Sequence, residues 1–256
     1  MGEQRPLIAG QEGNSPLSRG IIVIPAFEEA PRIGGVLRSI RASGQPEEIL
    51  VIDDGSGDGT ALVAGDAGAR VISHPFNLGY GAALQTGYKY ALRHGFEYVV
   101  QMDADGQHLA GEIPLLREPL LLGQADIVVG SRFIMVSGYE PGFARGLGRL
   151  LFHWLGRLAG IHITDPTSGF QALHRRAFEL FCGDAFPVDF PDIDVLLLAH
   201  RRGLRLREVE VNMASSPRGS SLHSGIMPIY YVYKMMLSLW VSSIEERRAK
   251  DAGPDL

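Results

Sequence analysis

Apolar runs and helical patterns alternate along the first half of the chain. Five short runs rich in apolar residues lie at residues 21–24, 49–52, 70–72, 98–102 and 127–129. Such runs are expected of strands that are buried on both faces of a sheet. Helical patterns fall between them, at residues 31–43, 60–67, 80–93 and 113–122. Pro31 suits the first turn of the first helix. Strands that alternate with helices predict an α/β fold with a mostly parallel, doubly wound sheet and helices on both faces.

The second half of the chain is less regular. Its pattern predicts an amphipathic helix at residues 144–160, a loop at 164–169, a helix at 192–202 and a strand at 206–211. The expected organisation is therefore one domain with an elaborated C-terminal half. Its parts are a flexible tail (residues 1–19), the domain (20–222), an amphipathic helix (223–246) and a second flexible tail (247–256).

The apolar segment at residues 226–244 is of borderline length for a membrane span. It contains Pro228 and Lys234, and its aromatic-rich stripe is one-sided, which favours a helix at the membrane interface or packed on the domain. A contact with a partner subunit fits the pattern equally well. The preceding amphipathic helix also carries residues suited to a lipid headgroup surface, namely Arg145, Arg149, Trp154 and Arg157.

Composition narrows the classes of function. The 256 residues are 45% hydrophobic and 21% charged, which excludes a disordered or fibrous protein. With 24 basic and 29 acidic side chains, the chain lacks the broad basic surface of a nucleic-acid-binding protein. An anionic ligand must therefore meet local arginines, helix N-termini or a metal ion. The single Cys182 excludes an internal disulfide and predicts a reducing, cytoplasmic location.

Acidic clusters follow three of the predicted strands. The strongest is the stretch Asp103-Ala104-Asp105-Gly106-Gln107-His108, in which two carboxylates and an amide oxygen come directly after a buried strand. Such hard oxygen ligands suit Mg²⁺ or Mn²⁺ together with water and substrate phosphates. The competing interpretation is that these acids only cap the next helix. Because ligands bind outside the carboxyl ends of parallel strands, we expect the clusters to converge on one crevice.

The second and third clusters follow the second and first strands. In the second, Asp58 is expected to cap a helix, while Asp53 and Asp54 are placed to bind a base or a ribose hydroxyl. The third cluster is the sequence PAFEE at residues 25–29. The glycines match neither the dinucleotide fingerprint nor the P-loop, which disfavours a hydride-transfer enzyme or a kinase.

Six motifs in order resemble family 2 of the GT-A glycosyltransferases. They are PAFEE (25–29), IDDGSGDGT (52–60), NLGYGAALQTG (77–87), MDADGQH (102–108), VGSRF (129–133) and TDPTSGFQALHR (164–175). The resemblance covers about residues 20–222 and is strongest to the dolichol-phosphate mannosyltransferase-like branch, including bacterial polyprenyl-phosphate sugar transferases. It implies the GT-A fold, a nucleoside diphosphate sugar donor, a divalent cation and inversion at the anomeric carbon.

The resemblance also implies roles for individual residues. The nucleoside and donor site is expected to contain Pro25, Phe27, Glu29, Ile52, Asp54, Asp103 and Ala104. The Mg²⁺ or Mn²⁺ ligands are expected to be Asp103, Asp105 and Gln107. Two arginines, Arg132 and Arg218, suit the charge of the diphosphate, with Arg132 also assigned to catalysis together with Asp105. The chain departs from the family where Glu28 replaces the usual Asn and Phe27 the usual Tyr.

The expected reaction is transfer of a hexose from a donor of the GDP-mannose or UDP-glucose type to a polyprenyl or dolichyl phosphate. Such an enzyme is expected in the cytoplasm or peripherally at the cytoplasmic face of the membrane. If the acceptor is instead the hydroxyl of a saccharide or small molecule, a general base is needed, and either Asp192 or Asp194 is the candidate. A nucleotide-sugar-binding scaffold and a sugar nucleotidyltransferase remain as further alternatives.

Overall fold

The computed structural model describes residues 19–132, 163–184, 186–187 and 191–214. Its seven strands are β1 (Gly20–Ala26), β2 (Glu48–Asp53), β3 (Arg70–Ser73), β4 (Tyr98–Gln101), β5 (Ile127–Ser131), β6 (Gln171–His174) and β7 (Leu206–Glu210). They form one sheet in the order β3-β2-β1-β4-β6-β5-β7. The six predicted strands are thus found, and the sheet is mostly parallel as expected.

The described helices are α1 (Ala30–Ala42), α2 (Thr60–Asp66), α3 (Tyr80–Arg93), α4 (Ile113–Leu121), α5 (Arg175–Phe181) and α6 (Ile193–Arg201). A short 3₁₀ helix (Ala110–Glu112) precedes α4. Five of these helices were predicted, and Pro31 lies in the first turn of α1 as expected. The seven-residue helix α5 was not predicted, because its sequence RRAFELF is too short to display a helical period.

Strand β6 is antiparallel to both of its neighbours, β4 and β5. Its pairing with β4 opposes Tyr98 to His174, and its pairing with β5 opposes Ile127 to Leu173. Because β6 runs in the opposite direction, its first residue lies at the edge where β4 and β5 end. The chain segment before β6, residues 163–170, is therefore brought to the carboxyl ends of the parallel strands.

Two apolar layers cover the two faces of the sheet. Alternate residues of β1 point in opposite directions, so that Ile21 and Val23 join one layer while Ile22 and Ile24 join the other. The first layer contains residues of α3, α5 and α6, and the second contains residues of α1, α2 and α4. Burial on both faces explains why the strands read as continuous apolar runs.

Several predictions fall outside the described residues: both tails, the helices at residues 144–160 and 226–244, and Arg218. In the parts of the chain that the structure describes, no helix has both the length and the apolar content needed to cross a membrane.

Candidate active site

The carboxyl ends of β1, β2, β4 and β5 lie along one edge of the sheet, and each is followed by a predicted site cluster. The ends of β1 and β2 are joined by the backbone hydrogen bond from Asp54 N to Ala26 O at 2.9 Å. The end of β5 is joined to the segment before β6 by the hydrogen bond from Gly130 N to Phe170 O at 2.8 Å. The clusters therefore lie along one edge of the sheet, as expected from the parallel strands.

The loop after β1 presents an exposed ring beside a buried carboxylate. Phe27 is 44% exposed, whereas Glu29 is buried and binds Arg32 Nη1 through Oε2 at 2.5 Å. Pro25 lies in β1 beside Ile52 of β2, so these two predicted donor residues are neighbours in the sheet. Glu28 has a φ of +54°, in the left-handed region that few side chains other than Asn and Asp adopt readily. The loop after β1 therefore contains a strained residue next to the predicted donor residues.

The loop after β2 is tied to the loop after β1. Glu28 N donates to Ser56 Oγ at 3.0 Å, and Ala30 N donates to Asp58 Oδ2 at 3.1 Å. The prediction that Asp58 is a helix N-cap is wrong by one position, because the N-cap of α2 is Gly59. Asp58 Oδ1 instead accepts from Thr60 N, and hydrogen bonding to Thr60, opposed by burial, lowers the pKa of Asp58.

Asp54 uses its carboxylate to hold the beginning of α3. It is buried, and it accepts hydrogen bonds from Leu78 N and Gly79 N, both at 2.9 Å, and lies 2.7 Å from His74 Nδ1. Asp53 Oδ1 accepts from Ser56 N at 3.2 Å and closes the turn after β2. Asp54 was predicted to bind the nucleoside, and this role stays a prediction; in the structure its carboxylate holds the residues at the beginning of α3.

Asp103 is fixed at both its backbone and its side chain. Its backbone N–H donates to His108 Nδ1 at 3.0 Å, and its Oδ1 accepts from Tyr80 Oη at 2.8 Å. The His108 ring stacks on Phe170 with 4.7 Å between ring centroids. Burial and the charge of Asp103 raise the pKa of Tyr80 well above its ordinary value, so the phenol remains a hydrogen-bond donor.

Asp105 and Gln107 form a close pair across the turn at Gly106. Gln107 N donates to Asp105 Oδ1 at 2.9 Å, and Gln107 Nε2 donates to Asp105 Oδ2. Neither Asp103 nor Asp105 caps the next helix: the N-cap of the 3₁₀ helix is Leu109 and that of α4 is Glu112, and neither of these helices has a side-chain cap. The competing interpretation of this cluster is therefore wrong.

The predicted ligands are oxygen atoms, the type of donor that a hard divalent cation prefers. Within the described ranges, no three His, Cys, Asp or Glu side chains are grouped to hold a metal. The predicted set has two carboxylates, so it depends on the amide oxygen of Gln107 and on oxygen atoms from a substrate. Asp103 Oδ2 lies 3.5 Å from His108 Nε2, beyond good hydrogen-bond distance, and so retains capacity for a ligand.

Arg132 follows β5 and forms a two-point ion pair with the buried Asp165. Burial disfavours its charge, but hydrogen bonds and charge from Asp165, with a further contribution from Asp103, raise the pKa of Arg132. The Glu208 carboxylate of β7 accepts from Thr164 N and Asp165 N, at 2.9 and 2.8 Å, and fixes this loop. Sequence reasoning assigned no role to Asp165 or Glu208, because their partners are distant in the sequence.

Asp192 and Asp194 lie at the beginning of α6. Asp194 Oδ1 accepts from the backbone N–H groups of Asp192 and Val195, both at 3.0 Å. Asp192 is the N-cap residue, and its side chain makes no capping hydrogen bond to the helix. The choice between them as a general base stays a prediction, with Asp194 already serving the helix terminus.

A groove of about 530 Å³ lies at the opposite edge of the sheet, near the first residues of β2 and β3. Its lining includes Arg41, which donates to Gly68 O at 2.7 Å, and Glu47, which accepts from Tyr98 Oη and Arg117 Nη1 at 3.0 and 2.6 Å. Arg41 thus pairs with backbone, whereas Glu47 pairs through Oε1 with two side chains outside the lining, and its buried Oε2 has no hydrogen-bond partner among the described residues. None of the predicted site residues borders this groove.

Comparison with known proteins identifies the family to which the chain is similar. Residues 21–181 match the family described as Glycosyl transferase family 2. The chain is 29% identical over 220 residues to an undecaprenyl-phosphate mannosyltransferase of Micrococcus luteus, covering 81% of this chain and 88% of that protein. It is also 29% identical over 222 residues to a polyprenol monophosphomannose synthase of Mycolicibacterium smegmatis, covering 82% and 83% of the two chains.

A solved structure gives a similar result for the fold. The crystal structure of glucosyl-3-phosphoglycerate synthase from Mycobacterium tuberculosis, in complex with Mn²⁺ and UDP-glucose, superposes with a TM-score of 0.66 at 25% identity. The match covers 86% of this chain and 78% of that one. The GT-A fold expected from the sequence is therefore confirmed.

Proposed function

Since the chain belongs to glycosyl transferase family 2, we propose that it transfers a hexose from a nucleoside diphosphate sugar to a polyprenyl or dolichyl phosphate. The donor is of the GDP-mannose or UDP-glucose type, and the reaction inverts the anomeric carbon. The observation that carries this proposal is the convergence of the Asp103 loop, the Asp54 loop and Arg132 at one edge of the sheet. The relatives from Micrococcus luteus and Mycolicibacterium smegmatis, whose names specify lipid-linked mannose, support this acceptor class.

The nucleoside binds in the crevice between the loops after β1 and β2. The exposed ring of Phe27 offers a face on which a base can stack. Pro25 and Ile52 supply the apolar floor, and Glu29 and the Asp54 loop supply polar groups. Ala104, which is buried between the two acids of the metal motif, would belong to the same donor site.

Asp103, Asp105 and Gln107 would hold the Mg²⁺ or Mn²⁺ ion. Such an ion neutralises the negative charge that develops on the departing nucleoside diphosphate. Arg132 supplies a second positive charge to the same leaving group, in an orientation fixed by Asp165. The last described residue before Arg218 is Ala214. Its N–H donates to Gln107 O at 2.9 Å, so Ala214 lies beside the metal motif.

The acceptor phosphate determines whether a base is needed. A lipid phosphate is ionised near pH 7, so its oxygen attacks the anomeric carbon while the bond to the diphosphate breaks, and no proton is removed. An acceptor hydroxyl must lose its proton, and Asp192 or Asp194 would then serve as the base. The structural similarity to glucosyl-3-phosphoglycerate synthase makes a small-molecule acceptor the second candidate.

Contact with a membrane completes the proposal. A polyprenyl phosphate is held in a bilayer, so the enzyme must reach the membrane surface to use it. The segment predicted to provide this contact, residues 226–244, lies outside the described residues. We place the protein peripherally at the cytoplasmic face of the membrane.

The test combines donor binding with transfer. Thermal unfolding is measured with UDP, GDP and their sugars, with and without Mn²⁺, and stabilisation by one nucleotide that requires metal identifies the donor base. Transfer is then measured to polyprenyl phosphate in vesicles and to soluble hydroxyl acceptors. Asp105→Asn is expected to abolish metal-dependent stabilisation and transfer, whereas Asp66→Asn, which removes an exposed acid in α2, should leave both unchanged.

Each result separates the proposal from its alternatives. Transfer only to soluble acceptors favours the hydroxyl-acceptor enzyme, and release of pyrophosphate identifies a sugar nucleotidyltransferase. Nucleotide binding without transfer to any acceptor favours a scaffold. Transfer that survives Asp105→Asn undiminished overturns the metal site.

A further inference from the structure

Four polar side chains form a continuous hydrogen-bonded chain that ends on Asp103. Tyr88 Oη donates to Gln101 Oε1 at 2.6 Å, Gln101 Nε2 donates to Tyr80 Oη at 3.2 Å, and Tyr80 Oη donates to Asp103 Oδ1 at 2.8 Å. Tyr88 and Gln101 are almost completely buried, whereas the Asp103 side chain is 32% exposed. The chain therefore runs from the protein core to the surface of the crevice.

The direction of every bond in this chain follows from its last member. The Asp103 carboxylate can only accept a hydrogen bond, so the Tyr80 hydroxyl must donate its single hydrogen to that carboxylate. The Tyr80 oxygen then accepts from the amide N–H of Gln101, and the amide oxygen of Gln101 accepts from Tyr88. Reversing any one of these hydrogen bonds would leave a buried polar group without a partner. The four side chains are therefore held in one arrangement.

We propose that Tyr80 is a positioning residue for Asp103, holding one carboxylate oxygen so that the other is aimed at the metal ion and diphosphate. This inference rests on the proposed function. The carboxylate of an aspartate rotates readily about its last bond, and a hydrogen bond to Oδ1 restricts this rotation. His108 fixes the backbone of the same residue, so Asp103 is held at two points.

Gly169 provides a third contact to Asp103, whose side chain is still 32% exposed. A Cβ atom added to Gly169 would lie 2.8 Å from Asp103 Oδ2, 2.9 Å from Oδ1 and 3.0 Å from Tyr80 Oη. Real Cβ atoms essentially never approach another atom more closely than 3.0 Å, so any larger residue at this position would displace the Asp103 carboxylate and press on the Tyr80 hydroxyl. The backbone at Gly169 therefore packs directly against the Tyr80–Asp103 pair.

The position of Tyr80 also joins the two halves of the donor site. The preceding residue, Gly79, donates its N–H to Asp54 Oδ2, and Tyr80 itself binds Asp103. The beginning of α3 is thus attached to the nucleoside loop by one residue and to the metal loop by the next. A donor that binds both loops meets them at a fixed separation.

The test compares Tyr80→Phe with Tyr88→Phe. Both variants remove one buried phenolic hydroxyl from the same chain, but only Tyr80 touches Asp103. The dissociation constant for Mn²⁺ is measured from the electron paramagnetic resonance signal of free Mn²⁺, with UDP or GDP present. Loss of a residue that orients a metal ligand typically weakens metal binding about 10- to 100-fold, and we expect at least the lower value for Tyr80→Phe.

Tyr88→Phe is expected to lower the unfolding temperature while leaving the Mn²⁺ dissociation constant within about twofold of that of the wild type. Gly169→Ala, which perturbs the same carboxylate from the other side, should weaken Mn²⁺ binding like Tyr80→Phe. If Tyr80→Phe and Tyr88→Phe lose stability equally and neither changes Mn²⁺ affinity, the role of Tyr80 is structural and the inference is overturned.

The two levels of the proposal fail in different ways. A wild-type protein that binds no Mn²⁺ with either nucleotide overturns the metal site and the role of Tyr80 together. Mn²⁺ binding that is lost in Asp103→Asn but retained in Tyr80→Phe and Gly169→Ala overturns only the positioning role. A split in kinetics, with a higher apparent KM for Mn²⁺ but a kcat near that of the wild type at saturating metal, would support it further.

Discussion

The guanidinium of Arg132 binds the carboxylate of Asp165 at two points, with Nε 2.8 Å from Oδ2 and Nη2 3.0 Å from Oδ1. Such paired, charge-assisted hydrogen bonds fix the plane of the guanidinium as well as its position. The Asp165 side chain is 2% exposed, whereas that of Arg132 is 39% exposed, so the acid is the buried support and the arginine is the more accessible partner. The orientation of Arg132 is therefore set by the protein before any donor binds.

Arg132→Lys is expected to lower kcat/KM for transfer by about 100-fold, comparable to the loss of one positioned donor in other active sites. Lysine keeps the positive charge but cannot make the two-point contact with Asp165, so the charge is no longer directed. Steady-state kinetics at saturating metal measure the effect. A kcat/KM close to that of the wild type would show that Arg132 does not act on the leaving group.

The matched control is Arg205→Lys. Arg205 makes the same kind of two-point contact with Asp126, through Nε at 3.0 Å and Nη2 at 3.2 Å, near the first residues of β5. This pair lies at the opposite edge of the sheet from the proposed active site. We expect Arg205→Lys to reduce the free energy of unfolding by about 1 kcal/mol and to leave kcat/KM within about twofold of the wild type.

Gly55→Ala is expected to destabilise the protein by about 2 kcal/mol and to raise the KM for the donor. Gly55 has a φ of +74°, and a Cβ atom there would lie 2.5 Å from the carbonyl carbon of Phe76 and 2.8 Å from Asn77 N. Because both contacts are to backbone, the loops after β2 and β3 would have to separate. Urea denaturation and donor kinetics measure the two effects.

Gly57→Ala provides the comparison within the same loop. Gly57 is exposed, an added Cβ atom would have nothing within 4 Å, and its φ lies outside the left-handed region. Its replacement should change the free energy of unfolding by less than about 0.5 kcal/mol, or increase it slightly by restricting the unfolded chain. Equal losses in the two variants would contradict the packing argument for Gly55.

The elements that the sequence predicted are those with a strong local pattern. The strands β1, β2 and β5 are buried on both faces, so each appears as an unbroken apolar run, and the helices between them have a clear apolar period. Strand β6 and helix α5 did not show such patterns, because QALH and RRAFELF are too short. The reversed direction of β6 depends on pairing with strands far away in the sequence, which no local pattern encodes.

The site shows the same division between local and distant information. The acids that follow β2 and β4 could be singled out, because parallel strands present their carboxyl ends at one edge. Their partners could not be, since Asp54 binds residues 24 and 25 positions away and Tyr80 binds an acid 23 positions away. The assigned roles of the site residues stay predictions that the proposed variants test.

Stability is expected to fall as the pH decreases below about 6.5, because His174 is held neutral in the folded protein. Burial, aided by the Arg176 and Arg205 guanidinium groups and opposed by Asp126, lowers the pKa of His174. His174 Nδ1 accepts from Arg176 N at 3.3 Å as the N-cap of α5, and protonation at that nitrogen would abolish the cap. His174 binds a proton more readily in the unfolded chain than in the folded protein. The stability that neutral His174 contributes is therefore fully present above pH 6.5, and it is lost as the pH falls through the lowered pKa of His174 in the folded protein.

His174→Asn separates the cap from the titration. Asparagine can accept the same hydrogen bond but does not titrate, so the free energy of unfolding of this variant should decline less than that of the wild type between pH 7.5 and pH 5. His174→Ala should be less stable than His174→Asn by about 1 kcal/mol at both pH values. Parallel pH profiles for the wild type and His174→Asn would exclude His174 as the source of the acid sensitivity.

Glu28→Asn is expected to increase the free energy of unfolding by about 0.5 to 1 kcal/mol. Glu28 has a φ of +54°, and its exposed side chain gains little from this position, while its backbone N–H is held by Ser56 Oγ at 3.0 Å. Asparagine adopts the left-handed region more readily because its short amide can bond locally. Asparagine is also the usual residue at this position in the family that the chain resembles. This agrees with a requirement for the left-handed backbone conformation rather than for a negative charge.

Glu28→Ala is the control, because it removes the same carboxylate but lacks the short amide that lets asparagine adopt the left-handed conformation. Its stability should stay near or below that of the wild type, whereas Glu28→Asn should exceed both in urea denaturation. A donor KM that changes equally in the two variants would indicate that the Glu28 carboxylate contacts the donor. If the two variants are equally stable, the strain at Glu28 does not govern the loop after β1.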